Sequence, residues 1–296
     1  MNELKPATPT FGGGGFLRVR LDLAYDGGPF SGWATQPGLV TVQGSLEEAL
    51  ALMLRRRVRV TVAGRTDAGV HASGQVAHID LTPEEWGSLP RGNELAPGEA
   101  LRRRLDGALN RVLGDDHSAL VIRKSELADP GFDARFSALW RRYSYRIVDL
   151  PQYRDPLSRT VTLWHKHALD VEAMNAGART LLGLRDFRAF CKPREGATTI
   201  RELQRFEFTR GQDGVITVAV QADAFCHNMV RALVGSTLRV GDGREKPEWL
   251  YARLQAGIRD AKSVLAAPHP LVLEEVAYPG PEELAARAEL TRARRA

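Results

Sequence analysis

The most constraining feature of this chain is an order of elements that occurs twice. Leu17, Val19, Leu21 and Leu23 alternate with Arg18, Arg20 and Asp22, the period of a strand with one buried face. Ser45-Leu46-Glu47-Glu48 reads as a capping box opening a helix whose apolar positions are Leu46, Ala49, Leu50, Met53 and Leu54. Strands follow around 58–62 and 76–81. A second helix places Leu101, Leu105, Ala108, Leu109 and Val112 on one face and stops at Gly114, before a strand around 119–123. The order β-α-β-β-α-β then returns. A strand at 143–148 leads through an insertion to a helix over 170–182, and two strands flank the Asp213-Gly214 turn. A helix from about 225 to 240, another opened by Pro247, and a strand at 271–276 complete the second unit.

This pattern predicts an α+β protein of two tandem ferredoxin-like (RRM-like) halves, whose antiparallel sheets lie side by side around a central cleft. Each half leaves one sheet face free of helices, the face that RNA-recognition modules use. The expected boundaries are a flexible tail at 1–15, an N-terminal domain at 16–124, a C-terminal domain at 125–280 and a second tail at 281–296. The glycines at 12–15 make no phosphate loop, because no Gly-Lys-Ser/Thr follows them. A length of 296 residues suits two domains, and 43% hydrophobic with 26% charged residues excludes a disordered or fibrous chain. No window holds eighteen consecutive apolar residues, and the N-terminus lacks a signal-peptide layout. Cys191 and Cys226 are too few for a disulfide framework and form no Cys-x-x-Cys pair, so a reducing, cytoplasmic compartment is expected. The net charge of +5 rests on 35 Arg and six Lys. Arginine grips phosphates and stacks on bases, although genome base composition alone also produces such a bias.

Four polar stretches offer chemistry. Gly64-Arg65-Thr66-Asp67-Ala68-Gly69-Val70-His71 brackets an acid and a base between glycines, in a loop joining paired strands. Alternation along Arg141-Arg142-Tyr143-Ser144-Tyr145-Arg146-Ile147 sends Tyr143, Tyr145 and Ile147 to one face and Arg142, Ser144 and Arg146 to the other. Either both tyrosines are core with the arginines solvated, or one ring lies in a cleft and stacks on a base. In Phe225-Cys226-His227-Asn228-Met229-Val230-Arg231, a helical reading puts His227 and Arg231 on one face, able to deliver a cation to a carboxylate. No second ligand pair has zinc spacing, so no metal site is expected. Tyr25-Asp26-Gly27-Gly28-Pro29-Phe30-Ser31-Gly32-Trp33 reads as a turn-rich loop packed on the domain.

These blocks together resemble the tRNA pseudouridine synthase A (TruA) family. The 64–71 run looks like that family's catalytic motif. Tyr25-Asp26-Gly27 with Gly32-Trp33, Thr41-Val42-Gln43, the 132–138 run Phe-Asp-Ala-Arg-Phe-Ser-Ala, Arg141-Arg142-Tyr143, and Met229-Val230-Arg231 with Gly235 agree in order and content. The similarity runs from about Val19 to Tyr278. It implies isomerisation of uridine to pseudouridine at positions 38–40 of the anticodon arm of tRNA, by a homodimer, without cofactor or metal and away from any membrane. It further implies Asp67 as the catalytic aspartate, Tyr143 as the active-site tyrosine, Arg231 as the aspartate's basic partner and Arg65 as the arginine that extrudes the target nucleotide. Arg142 and His71 are expected to contact substrate beside Tyr143 and Arg65.

The chemistry suits the residue types. Rejoining the base to C1′ through C5 needs a nucleophile near C1′ or C6, and an aspartate, with a reference pKa of about 3.9, is ionised at neutral pH. Extruding the uracil costs a few kcal/mol, part of which stacking on Tyr143 would return. This chain departs from the family at Ala34 after Gly32-Trp33, at Asp133 where a histidine is usual, and at Gly114 where a proline is common. A tandem RNA-recognition module would carry Lys/Arg-Gly-Phe-Gly-Phe motifs, which are absent, and a glycosidase would need a second carboxylate patterned like Asp67.

Overall fold

The computed structural model describes residues 11–12, 15–92, 94–193, 198–260 and 263–293. Most of the expected N-terminal tail therefore lies outside the described residues. A short strand, β1 (Phe11–Gly12), pairs with β2 (Phe16–Tyr25), whose Leu17, Val19, Leu21 and Leu23 are all buried as their alternation requires. Helix α1 (Val42–Leu54) begins one turn earlier than Ser45. Thr41 is its cap: the Thr41 hydroxyl accepts from Gly44 N–H at 3.2 Å, while Ser45 Oγ, already inside the first turn, donates to Thr41 O at 3.0 Å. Strands β3 (Thr61–Val62) and β4 (His71–Leu81) follow, then α2 (Pro83–Ser88), which carries a capping box of Thr82 and Glu85. Helix α3 (Pro97–Leu113) buries Leu101, Leu105 and Leu109 and ends at Gly114, whose φ of +56° excludes the proline common there. Strand β5 (Leu120–Leu127) closes the unit.

The second half runs β6 (Trp140–Val148), β7 (Leu163–Trp164), α4 (Val171–Arg179), β8 (Gly183–Asp186), β9 (Ile200–Arg210), β10 (Ile216–Ala222), α5 (Met229–Gly241), α6 (Glu248–Ala256) and β11 (Leu271–Ala277). The predicted elements are present, with ends moved by a few residues. The exception is α5, which starts at Met229 because Asn228 adopts φ +68°, a left-handed conformation that a helix cannot pass through. The expected second tail contains α7 (Leu284–Ala293), with Leu284 and Ala288 buried and Arg292 paired to Asp133 at 2.8 Å.

The strands form a single mixed sheet of eleven among the described residues. One half is ordered β5-β2-β4-β3 and the other β11-β6-β10-β9-β8, and the two meet where β4 pairs in parallel with β11, Val272 opposite His71 and Leu273 opposite Ala72. Gly74 permits this seam. A Cβ there would lie 2.0 Å from Glu274 O. Helix α1 packs on α3 and α4 on α5. The core is one continuous cluster from Leu21, Leu46 and Leu101 in the first half to Tyr145, Val218 and Leu233 in the second. Each fully buried leucine contributes roughly 1.5–3 kcal/mol. The two helical layers and the seam thus hold the two halves in fixed register across a cleft that both of them line.

Candidate active site

The 64–71 loop joins β3 to β4 and is built against the segment after β2. Trp33 N–H donates to Thr66 O at 3.0 Å, Tyr25 and Thr66 hydroxyls bond at 2.8 Å, and Gln75 Nε2 donates to the Tyr25 oxygen at 3.1 Å. Burial pushes the Tyr25 phenol up to about 12, against the pull of those two hydrogen bonds, so it is a neutral strut. Glycines let the two segments touch. A Cβ on Gly27 would lie 2.2 Å from Val70 O, and one on Gly32, at φ +94°, would lie 3.1 Å from Thr66 O and from Ala68 N. The stretch read only as a packed loop is therefore the mould in which the Asp67 backbone is set.

The opposite wall comes from β6 and α5. Tyr143 is buried, its ring edge-on to Phe225 at 5.2 Å, and burial raises its hydroxyl above the usual phenol range. Arg141 shares that face of β6. Its guanidinium, 4% exposed, donates to three carbonyls at 2.8 Å each: Ala63 before the Asp67 loop, Arg135, and Asp223 after β10. Sequence reasoning missed this tie, although the alternation that places Tyr143 places Arg141 with it. On α5, Arg231 Nε donates to Ala266 O at 2.8 Å, and Ala266 N–H returns to Arg231 O at 3.0 Å. Gly235 allows that strap to lie close, since a Cβ there would be 2.1 Å from Val264 O.

These elements enclose a cleft of about 930 Å³ lined by both halves. Asp67 stands in it between a guanidinium and an imidazole: Arg231 Nη1 lies 3.4 Å from Oδ2 and His227 Nε2 lies 3.5 Å from Oδ1. Both distances exceed the usual charged hydrogen bond, so the carboxylate is oriented without being clamped. Asp67 is the only carboxylate among the described lining residues, against Arg59, Arg65, Arg135, Arg141, Lys192, Arg201 and Arg231. Such a cleft attracts a polyanion and presents one nucleophilic oxygen pair to it. No group of three or more His, Cys, Asp and Glu residues able to hold a metal occurs among the described residues.

Of the expected residues, Asp67, Arg65, Tyr143 and Arg231 come together in the cleft. His71 and Arg142 do not line it. His71 is buried and its Nδ1 accepts from Gly27 N–H at 2.9 Å, which braces the turn; Arg142 lies on the other face of β6 and pairs with Glu275. His227 and Arg231 both reach Asp67, but not along one helical face, because His227 precedes α5. Against the expectation of no disulfide and a reducing compartment, Cys191 and Cys226 are joined as a disulfide with a Cα separation of 5.7 Å, because the fold brings the two loops together; Cys226 lines the cleft. Asp133, where the family favours histidine, accepts from Arg135 and Phe136 N–H at 2.9 Å each and so shapes the turn before β6.

A family model described as tRNA pseudouridine synthase matches residues 178–279. A tRNA pseudouridine synthase A of Streptomyces avermitilis is 52% identical over 285 residues, 95% of both chains, and one of Frankia casuarinae is 54% identical over 280 residues, 94% of this chain and 96% of that one. The counterpart in Mycobacterium leprae is 46% identical over 93% of this chain and 94% of its own. No helix among the described residues is long and apolar enough to cross a membrane. With the aspartate loop, its arginine partner and the buried tyrosine assembled in one basic cleft, and with this identity over nearly the whole length, the chain belongs to the tRNA pseudouridine synthase A family of isomerases.

Proposed function

We propose that this chain isomerises uridine to pseudouridine at positions 38–40 of the anticodon stem-loop of tRNA, with Asp67 as nucleophile on a flipped-out uridine. The observation that carries the reading is the lone carboxylate of Asp67, held between Arg231 and His227 in an otherwise basic cleft. In this reading Arg65, on the exposed side of the loop, takes the place of the extruded base, and the uracil enters against Tyr143. Asp67 adds to the uridine at C1′ or C6, the N1–C1′ bond breaks, the base turns, and C5 bonds to C1′. Arg231, 3.4 Å away, aims the carboxylate. The overall change moves one proton from C5 to N1 and consumes nothing, so no cofactor or metal is required. His71 and Arg142 serve as braces behind the loop and β6.

The two strand units, over 16–124 and 125–280, are read as ferredoxin-like halves: β5-β2-β4-β3 and β11-β6-β10-β9 each follow the 4-1-3-2 strand order of that fold. The enzyme would work in the cytoplasm as a homodimer, one subunit holding the tRNA body while the other acts on the arm. Release of tritium from tRNA labelled at C5 of uridine tests the assignment. Wild type should release label, while Asp67→Asn should release none yet bind tRNA with nearly unchanged affinity. Full turnover by Asp67→Asn would remove Asp67 from its role.

A further inference from the structure

The reaction must take a proton from C5, and a group in the cleft must receive it. Tyr143 carries a hydroxyl that burial keeps protonated well beyond neutrality, so it has no lone basic form to offer. The guanidinium and ammonium groups are cations and accept nothing. Asp67 is still bonded to C6 at this stage if it adds there, and has just been displaced by C5 if it adds at C1′; in either case a carboxylate is a weaker base than an imidazole. His227 is the only imidazole among the described residues lining the cleft. Imidazole is the side chain whose neutral and charged forms interchange near pH 7.

We propose that His227 Nε2 is the base that removes the C5 proton, an inference that rests on the isomerase reading above. The geometry places it. Nε2 lies 3.5 Å from Asp67 Oδ1, which puts the imidazole within reach of a uridine that Asp67 attacks. The ring is 47% exposed, which leaves its edge open to a substrate entering the cleft. The His227 backbone is fixed on both sides: its carbonyl accepts from Lys192 N–H at 2.9 Å, and the preceding residue, Cys226, is disulfide-bonded to Cys191. The left-handed Asn228 that ends the loop turns the chain into α5 one residue after His227. This bend lets His227 and Arg231 approach the two oxygens of Asp67 separately. Beside Asp67, which the ring meets directly, the charged or titratable groups that line the cleft with it include Arg65 on the β3–β4 loop, Arg231 on α5, Tyr143 and Arg141 on β6, and Lys192.

The step balances without a further reactant. Once C5 has bonded to C1′, C5 is tetrahedral and still carries its hydrogen. Neutral His227 Nε2 takes that proton; the C5–H electron pair becomes the C5=C6 double bond, and the pair displaced from C6 goes to N1 or to the departing Asp67 oxygen. N1 gains a proton, from the imidazolium or from water, and His227 is neutral again.

The test compares wild type, His227→Gln and His227→Ala on tRNA labelled at C5, in single-turnover reactions from pH 5 to 8. Glutamine preserves polarity and approximate size but cannot carry a proton at these pH values. The expected result is a loss of label release of about 10²- to 10⁴-fold, the usual contribution of a general base. The tRNA Kd should change by less than about twofold and the acid limb of the wild-type pH profile should vanish, since a protonated imidazole accepts nothing. Replacing hydrogen by deuterium at C5 should slow His227→Gln more than wild type, because removal of the base makes C–H cleavage the slow step. Added imidazole should partly restore His227→Ala. A Gln variant within about threefold of wild type, or one that is slow but keeps the acid limb, overturns the proposal. If wild type itself releases no label, the isomerase reading fails and takes this step with it; if wild type releases label and His227→Gln does so equally, only this step fails.

Discussion

At Gly32 the backbone sits at φ +94°, and a Cβ there would press on Thr66 O and Ala68 N at 3.1 Å. Gly32→Ala therefore strains its own backbone by about 1–3 kcal/mol and pushes the Asp67 loop away from the mould that shapes it. A shift of about 1 Å in a reacting group costs on the order of 10²-fold in rate. The variant should lose stability by that amount in thermal melts and lose single-turnover label release while binding tRNA normally; wild-type rate would show that the contact with Gly32 does not set the position of Asp67. A second residue-scale effect concerns acid stability. His78 is buried, its Nδ1 accepts from Ala134 N–H at 3.0 Å, and burial, with Arg18 nearby, lowers its pKa to about 4. Between its ordinary value near 6.5 and that lower one, the unfolded chain binds a proton the folded chain refuses, so stability falls as pH falls through this window. His78→Asn keeps an acceptor for Ala134 and cannot titrate there. It should flatten the decline in melting temperature between about pH 6.5 and 4, and an unchanged decline would place the acid sensitivity elsewhere.

The seam between β4 and β11 is where an element-scale change should be felt at the site, because Asp67 enters from the β4 side and Arg231 from α5, on the second half. Gly74 leaves no room for a side chain against Glu274 O, 2.0 Å from a built Cβ. Gly74→Val should force the strands apart, lower the melting temperature and weaken the Asp67–Arg231 contact. The expected signature is a fall in label release larger than the fall in tRNA affinity, read at a temperature where the variant remains folded. Equal losses would mean that the halves separate as a whole. The strands and helices themselves were legible because alternation and 3.6-residue periodicity report burial directly, as at Leu17–Leu23 and Leu101–Leu109. What escaped was set by backbone conformation and by partner choices that side-chain periodicity does not encode. The Thr41 cap depends on which hydroxyl meets Gly44 N–H, the start of α5 on a left-handed Asn228, and the Cys191–Cys226 junction on loops 35 residues apart. Within the site, Asp67, Tyr143, Arg65 and Arg231 were visible through a motif. The carbonyl tie made by Arg141 and the bracing position of His71 required the fold, since neither ring nor guanidinium announces its partners locally.

Over the whole molecule, 35 arginines say little about function, since base composition alone produces such a bias; their placement says more. Arg59, Arg65, Arg135 and Lys192 are exposed on the cleft, whereas Arg141 and Arg201 are buried and bonded to main-chain carbonyls. Among the described residues of the cleft, these four cations are the ones exposed where a phosphate would pass. If each neutralises one phosphate, the slope of log affinity against log salt should be about −0.7 to −0.9 per contact, close to −3 in total. Raising salt from about 50 to 200 mM should then weaken tRNA binding by about 50- to 150-fold, with additional loss for contacts made outside the cleft. Arg135→Gln with Lys192→Gln removes two of the four. Arg135 holds Arg141 through its carbonyl and Lys192 meets His227 through its N–H, so both backbone ties survive the double substitution. The slope should shallow by about 1.4–1.8 while Asp67 keeps its two neighbours and bound tRNA turns over at nearly the wild-type rate. An unchanged slope would mean that the tRNA backbone lies elsewhere and that only the extruded nucleotide enters the cleft.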